Sequence, residues 1–287
     1  MSLCRPAVAG PLGMGRVVAA ILIGGLRRSD FESSVGERLA CLPLDAEDTL
    51  LSAWASLVVD ADGSEIRVVT SGGEESLLER EIDRIAARER GLPIRRIVEP
   101  GTHRGTAGVL RDTLSDLAET DEVLWIEPHC LPPATLRPLR AALESAPIAI
   151  GVAGEDDPAG VCAMRAGILE RAAKVGYQDF KEQFLPAMAQ LGERAAPVRL
   201  QSRGMRVHSR KTYLEATGAR RGGPRIHPGA MVDPTATVCA ESVVGVDARI
   251  GPGAIVNASV VLPHAAIGEG AVVARSVVPW GRRVAPR

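Results

Sequence analysis

From Ala230 to Val278 two residue types recur with a period of six. Small residues stand at Ala230, Ala236, Ser242, Ala248, Ala254, Ser259, Ala265, Ala271 and Ser276. Two positions after each comes a branched aliphatic: Val232, Val238, Val244, Ile250, Val256, Val261, Ile267, Val273 and Val278. Two of the steps are shortened to five. A hexapeptide period with one small and one branched slot is the sequence form of a parallel β-helix. The branched residue fills the interior of a triangular coil and the small one fits beside a tight corner. Nine hexapeptides at three per coil predict three coils. So short a stack has to close its ends against the preceding domain, a terminal segment such as Trp280, or another subunit.

Ahead of the repeat the pattern is different. Short β-branched runs at 17–23, 66–70, 94–98, 123–126, 148–152 and 161–164 alternate with helical spacings. Leu78, Ile82 and Ile85 fall on one helix face, as do Ala107, Leu110, Leu114 and Leu117. Alternation of this kind predicts an α/β layer architecture with a mostly parallel sheet. The polar, glycine-rich stretch at 219–225 reads as a linker. The expected organisation is therefore a flexible leader at 1–16, an α/β domain at 17–218, and the β-helix with its tail at 226–287. Met14 is an alternative natural start to Met1.

Bulk properties exclude several classes. In 287 residues there are 34 basic and 35 acidic side chains, a formal net charge of −1, which gives no reason to expect a nucleic-acid or membrane surface. No apolar run is long enough for a membrane helix, and the first residues lack a signal-peptide core. Five scattered cysteines, an odd number without paired metal-ligand spacing, suit reduced thiols and a cytoplasmic setting. Only Lys174, Lys181 and Lys211 are lysines, so no lysine-dependent chemistry can sit in the first half.

The strand at 17–23 runs into Gly24-Gly25, the usual way to bring backbone N–H groups against a phosphate. Leu26, Arg27, Arg28, Ser29 and Asp30 follow, bulkier and more charged than a phosphate cradle. Further landmarks are Cys41-Leu42-Pro43-Leu44, Gly105-Thr106-Ala107-Gly108, Phe184-Leu185-Pro186 and Tyr213-Leu214-Glu215-Ala216. In this order, ahead of a hexapeptide β-helix, they resemble the sugar nucleotidyltransferases, also called NDP-sugar pyrophosphorylases. The resemblance spans nearly the whole chain from Val17. It implies a Rossmann-like, GT-A-type three-layer nucleotidyltransferase domain followed by a short left-handed β-helix. It also implies the reaction of a nucleoside triphosphate with a sugar 1-phosphate, in which an in-line attack at the α-phosphorus is assisted by Mg²⁺ and basic side chains.

Residue by residue, the chain departs from the pattern that the resemblance implies. Arg27 occupies the third-glycine slot of the loop, and Ser29 that of the triphosphate-binding arginine. Leu39, next to Arg38, stands where a phosphate-binding lysine is implied. His129 and Arg206 align with the two aspartates that hold Mg²⁺, and arginine cannot ligate a metal. Glu127 offers one replacement carboxylate, and the charge of Arg206 can stand in for the cation. Between Ile150 and Gly160 there is too little chain for the extra strands of a sugar lobe, so a sugar-phosphate partner is doubtful.

Candidate catalytic residues are thus Arg27, Arg28 and Arg38, with Glu127 and His129 as candidate metal ligands. Gly24, Gly25, Gly105, Thr106, Ala107 and Gly108 are candidate nucleotide contacts. For the last four, a plain helix start capped by Thr106 is an equal reading. For Arg38 the preferred reading is a surface residue. The leading expectation is a nucleotidyltransferase-like protein impaired in the Mg²⁺-dependent reaction, binding a nucleoside triphosphate or nucleotide sugar as a scaffold or sensor in polysaccharide metabolism. An active pyrophosphorylase with rearranged ligands is the alternative. A hexapeptide acyltransferase using His227 or His264 is a third. A homo-oligomer is expected, with no nucleic-acid or membrane partner.

Overall fold

The computed structural model describes residues 15–23, 28–72, 76–89, 91–99, 103–155, 157–218 and 223–287. Seven strands form one sheet: β1 (Val17–Leu22), β2 (Glu65–Thr70), β3 (Ile94–Val98), β4 (Glu122–Ile126), β5 (Ile148–Ala153), β6 (Asp157–Arg165) and β7 (Ala195–Arg199). Their order is β3-β2-β1-β4-β6-β5-β7. β1 is paired in parallel on both sides, with β2 and β4, and its two faces are buried, which is why VVAAIL reads as an unbroken apolar run. β6 runs antiparallel to both β4 and β5, so the sheet is mixed. β5 and β6 are joined directly as a hairpin, and no sugar-lobe strand lies between them.

Among the described residues seven α-helices accompany these strands: α1 (Asp30–Val35), α2 (Leu50–Asp60), α3 (Ser76–Arg88), α4 (Gly105–Thr113), α5 (Arg137–Ala142), α6 (Leu185–Gln190) and α7 (Arg210–Gly218). Val17, Ala19 and Ile21 face one core with Leu51 and Trp54 of α2, Ile82 and Ile85 of α3, and Leu139 of α5. Val18 and Ala20 face a second core with Leu110 of α4, Trp125, Phe180 and Phe184. Alternation along one strand thus divides the domain into three layers.

α1, α2, α5, α6, α7 and β7 lie outside the periodicity argument. α2 has the sequence LLSAWASLVVD, in which Ser52, Ser56 and Asp60 are the polar residues and Ser52 is itself buried, so the stripe is weak; Thr49 with Ser52 forms its capping box. β7 is an edge strand with every second residue exposed.

The repeat folds as a stack of short parallel strands: β8 (Arg225–Ile226), β9 (Met231–Val232), β10 (Thr237–Val238), β11 (Val243–Val244), β12 (Arg249–Ile250), β13 (Ile255–Asn257), β14 (Val260–Val261), β15 (Ala266–Ile267), β16 (Val272–Ala274), β17 (Val277–Val278) and β18 (Arg283–Val284). They form three sheets, β8-β11-β14-β17, β9-β12-β15-β18 and β10-β13-β16. The branched residues do point inward, into one core from Val244 to Val278. The stack exceeds the expected three coils by two strands, because Ile226 and Val284 extend the series beyond the residues that match the small-residue slot.

The five-residue steps fall where Ala258 and Arg275 turn with positive φ, 45° and 48°. At that corner Ser242, Ser259 and Ser276 stack at intervals of 17 residues. Ser276 N–H donates to Ser259 Oγ at 3.0 Å, and Ser259 Oγ donates to Asn257 O at 2.7 Å.

One face of the coil packs on the α/β domain. Val243, Val260 and Leu262 share a core with Phe31, Leu42, Leu44 and Tyr213. The Tyr213 hydroxyl donates to Pro43 O at 2.6 Å, and burial raises the pKa of that phenol. Among the described residues no helix is long and apolar enough to cross a membrane.

Candidate functional site

The strand order places a topological switch between β1 and β4. The chain proceeds from β1 outward through β2 and β3, then returns to the other side of β1. In such sheets the crevice beyond the carboxyl ends at the switch is where ligands bind. Glu127-Pro128-His129-Cys130, which leaves β4, lies there.

That segment is held by backbone pairing. Glu127 N–H donates to Gly160 O at 2.8 Å, fixing it to β6. Val207 N–H donates to His129 O at 2.7 Å, Leu131 N–H donates to Met205 O at 3.0 Å, and Cys130 and Arg206 form an antiparallel bridge. Gly160 has φ 74°, and a Cβ there would lie 2.4 Å from the Cβ of Cys130, so only glycine admits this crossing.

Four side chains meet on this frame. Glu127 Oε1 accepts from Lys181 Nζ at 2.6 Å, and Glu127 Oε2 accepts from Arg206 Nη2 at 2.6 Å. Arg206 Nη1 lies 2.9 Å from His129 Nε2. Arginine can only donate, so His129 Nε2 accepts and the neutral ring carries its proton on Nδ1. Burial lowers the His129 pKa, and the charges of Arg206 and Lys181 lower it further against the opposing pull of Glu127 and Glu32. Burial disfavours ionisation of Glu127, yet the Lys181 hydrogen bond and the charges of Lys181 and Arg206 outweigh it and keep the carboxyl below the usual glutamate range. Counting Glu127 as −1, Lys181 and Arg206 as +1 each and His129 as neutral, the group carries one net positive charge.

Glu127 is the enclosed member, its side chain 14% exposed, whereas Lys181, Arg206 and His129 are 45%, 39% and 36% exposed. Lys181 sits in a π-helical turn, Phe180–Phe184, whose N-cap Asp179 accepts from the Lys181 and Glu182 N–H groups. Single π turns recur at functional sites. Beside the group lies an apolar pocket of about 110 Å³, whose walls include Trp125, Gly160, Phe180, Lys181 and Leu185. The Trp125 indole N–H is buried without a hydrogen-bond partner among the described residues, and Lys181 Nζ lies 5.8 Å from its ring centroid.

These residues do not fit Mg²⁺. Of the two positions aligned with metal-binding aspartates, one is a nitrogen base engaged by arginine and the other is that arginine. Glu127 has both oxygens committed to cations. Glu127, His129 and Cys130 do bring ligand atoms within 4.8 Å of one another. Burial, with Glu127 next, pushes the Cys130 thiol up to about 12.

The other sequence-derived residues lie as follows. Gly24, Gly25 and Arg27 fall outside the described residues. Arg28 Nη1 donates to Gly36 O at 2.9 Å, at the end of α1. Arg38 is only 7% exposed, so the surface reading fails: it precedes a short 3₁₀ turn and is enclosed by its surroundings. Ser29 caps α1 in a capping box with Glu32, whose carboxylate also accepts from Leu39 N–H at 3.0 Å. The Ser-x-x-Glu spacing was the signal for this.

Gly105, Thr106, Ala107 and Gly108 begin α4, but Thr106 does not cap it. Arg104 is the N-cap residue, and Gly105 turns at φ 67°. A Cβ on Gly105 would lie 2.4 Å from Gln178 O, which accepts from Ala107 N–H at 3.1 Å. The turn therefore packs on backbone at 178. In the β-helix, His227 Nδ1 accepts from Gly229 N–H at 2.9 Å, and His264 stacks on Trp280 at 5.0 Å between centroids.

The β-helix matches a family model. It is described as the GMPPB C-terminal domain and covers residues 221–287. None of the curated proteins matches the chain. The match agrees with the C-terminal part of the sugar nucleotidyltransferase resemblance and suggests a nucleotidyltransferase-like family.

Proposed function

We propose that the protein is a nucleotide- or nucleotide-sugar-binding relative of the sugar nucleotidyltransferases that has lost Mg²⁺-dependent nucleotidyl transfer and serves as a binding or scaffold protein in polysaccharide metabolism. One observation carries this reading. The two positions aligned with metal-binding aspartates meet in space, at 2.9 Å, but as an arginine–histidine pair with a glutamate already neutralised by two cations. Phosphoryl and nucleotidyl transfer depend on positioning and on neutralising developing charge around a divalent ion. A site that repels that ion retains the means to hold an anion and lacks the means to activate it in the usual way.

The direct β5–β6 hairpin supports the same reading, since it leaves little wall for a sugar phosphate. A left-handed coil follows from the family of the β-helix. None of the four described cysteines is in a disulfide, which supports a reducing cytoplasmic setting. Exposed Met231, Ile255 and Val272 on the coil support self-association.

The test incubates purified protein with nucleoside triphosphates, sugar 1-phosphates and Mg²⁺ or Mn²⁺, and reads pyrophosphate release alongside thermal stability. The expected result is no metal-dependent release, together with stabilisation by at least one nucleotide, because selective binding to the folded state raises its stability. Metal-dependent turnover that disappears in Glu127→Gln would establish the active-enzyme alternative instead.

A further inference from the structure

We propose that Lys181 and Arg206 form a metal-independent phosphate site, in which two fixed cations at the switch point take the role that a divalent ion would otherwise fill. The proposal rests on the nucleotide-binding reading above and assigns that site its ligand chemistry: a phosphate or diphosphate group, bound without a cation of its own.

The argument starts from the charge. Glu127 neutralises one of two cations and leaves the group with a surplus positive charge in the crevice where an α/β sheet binds its ligand. Glu127 is enclosed, but both cations keep a large exposed fraction, so each can turn remaining N–H donors outward. Arginine presents a planar fork and lysine a compact ammonium, the two geometries that proteins use on phosphate oxygens.

Glu127 has a defined part in this arrangement. It holds the two cations apart and in place while no anion is bound, and it competes with any anion that arrives. His129 limits the freedom of the guanidinium, since its Nε2 accepts from Arg206 Nη1. Lys181 is one of three lysines in a chain with 34 basic residues, and it occupies the π-helical turn.

The role of Glu127 gives the proposal a sign that a metal site would not share. Where a carboxylate binds through a metal, its neutralisation weakens nucleotide binding. Here it removes a competitor and tightens it.

The experiment uses the full chain, with pyrophosphate, inorganic phosphate and a panel of nucleoside di- and triphosphates, each in excess EDTA and again with Mg²⁺. Binding is read by calorimetry and thermal shift. At least one diphosphate-bearing ligand is expected to bind in EDTA. Lys181→Gln should weaken it about ten-fold, the scale of one charge-assisted contact, and Lys181→Arg should restore most of that. Glu127→Gln should tighten it about three-fold or more, by removing an adjacent negative charge. Tighter binding of nucleotide than of pyrophosphate assigns the phosphate to a nucleotide, and equal binding assigns it to a free anion.

Binding that requires Mg²⁺ and is lost in Glu127→Gln overturns this proposal and leaves the nucleotide-binding reading standing. No binding of any nucleotide, of pyrophosphate or of inorganic phosphate, with or without Mg²⁺, overturns both.

Discussion

The β-helix and the switch-point group are built on opposite principles. In the β-helix each rung repeats its neighbours: one inward aliphatic, one small corner residue, and backbone bonds to the rungs above and below. The switch-point group is made once, from Glu127, His129, Lys181 and Arg206, which come from three separate segments of the chain. Repetition makes a structure readable from a short window, whereas convergence of distant segments becomes visible only when the sheet is assembled. The β-helix is also held by apolar burial, which no single polar pair governs, and the group is held by charges whose removal one at a time changes its character.

Four changes bear on this comparison, from the largest expected effect to the smallest. Val256→Asp would place a carboxylate in the fully enclosed coil interior, packed among aliphatic side chains. A loss of about 4 kcal/mol or more is expected in urea unfolding. A mild effect would mean that the coil tolerates a broken rung. Glu127→Gln would leave Lys181 and Arg206 facing one another without their shared acceptor. Both are partly solvated, so the expected cost is only about 1–2 kcal/mol by the same measurement.

Ser259→Ala deprives Ser276 N–H of its acceptor and Asn257 O of a donor at a five-residue corner. It should cost about 1 kcal/mol. The smallest effect is on pH dependence. His129 is neutral in the fold, with its pKa depressed by burial and by Arg206, so the unfolded chain takes up the proton first. Its contribution is complete above the ordinary histidine value of about 6.5 and is lost as the pH falls from there toward the folded value. Glu127, also depressed, loses its contribution at lower pH still, as the pH falls through its folded value. The groups facing His129 are Glu127, Arg206, Lys181 and Glu32. The melting temperature should therefore drop less between pH 7 and pH 5 in His129→Asn than in the parent protein.

Much of the architecture was legible in the residues, for identifiable reasons. The inward aliphatics of the coil are phased by the repeat itself, and β1 to β6 follow from short β-branched runs. α2 was hidden because its polar stripe, Ser52, Ser56 and Asp60, is thin and begins with a buried serine, and β7 because an edge strand buries too little. The alignment of His129 and Arg206 anticipated that the two positions belong together, and they touch. Lys181 was missed as a member of the site. Its one signal was scarcity, a lysine in an arginine-dominated chain, and scarcity says nothing of position until the π-helical turn carries it to Glu127. The Thr106 cap was misread because a threonine after glycine suits a helix start, whereas Arg104 and the backbone at Gln178 define that start here.

The central claim is that cations fill the place of a metal at the end of β4. Mn²⁺ titration of the nucleotide-free protein, followed by electron paramagnetic resonance, tests it most directly. The account expects no stoichiometric Mn²⁺ site in the parent protein and the appearance of one in the double variant His129→Asp/Arg206→Asp, which supplies the two carboxylates. One tightly bound Mn²⁺ per chain in the parent protein, lost in Glu127→Gln, would contradict it.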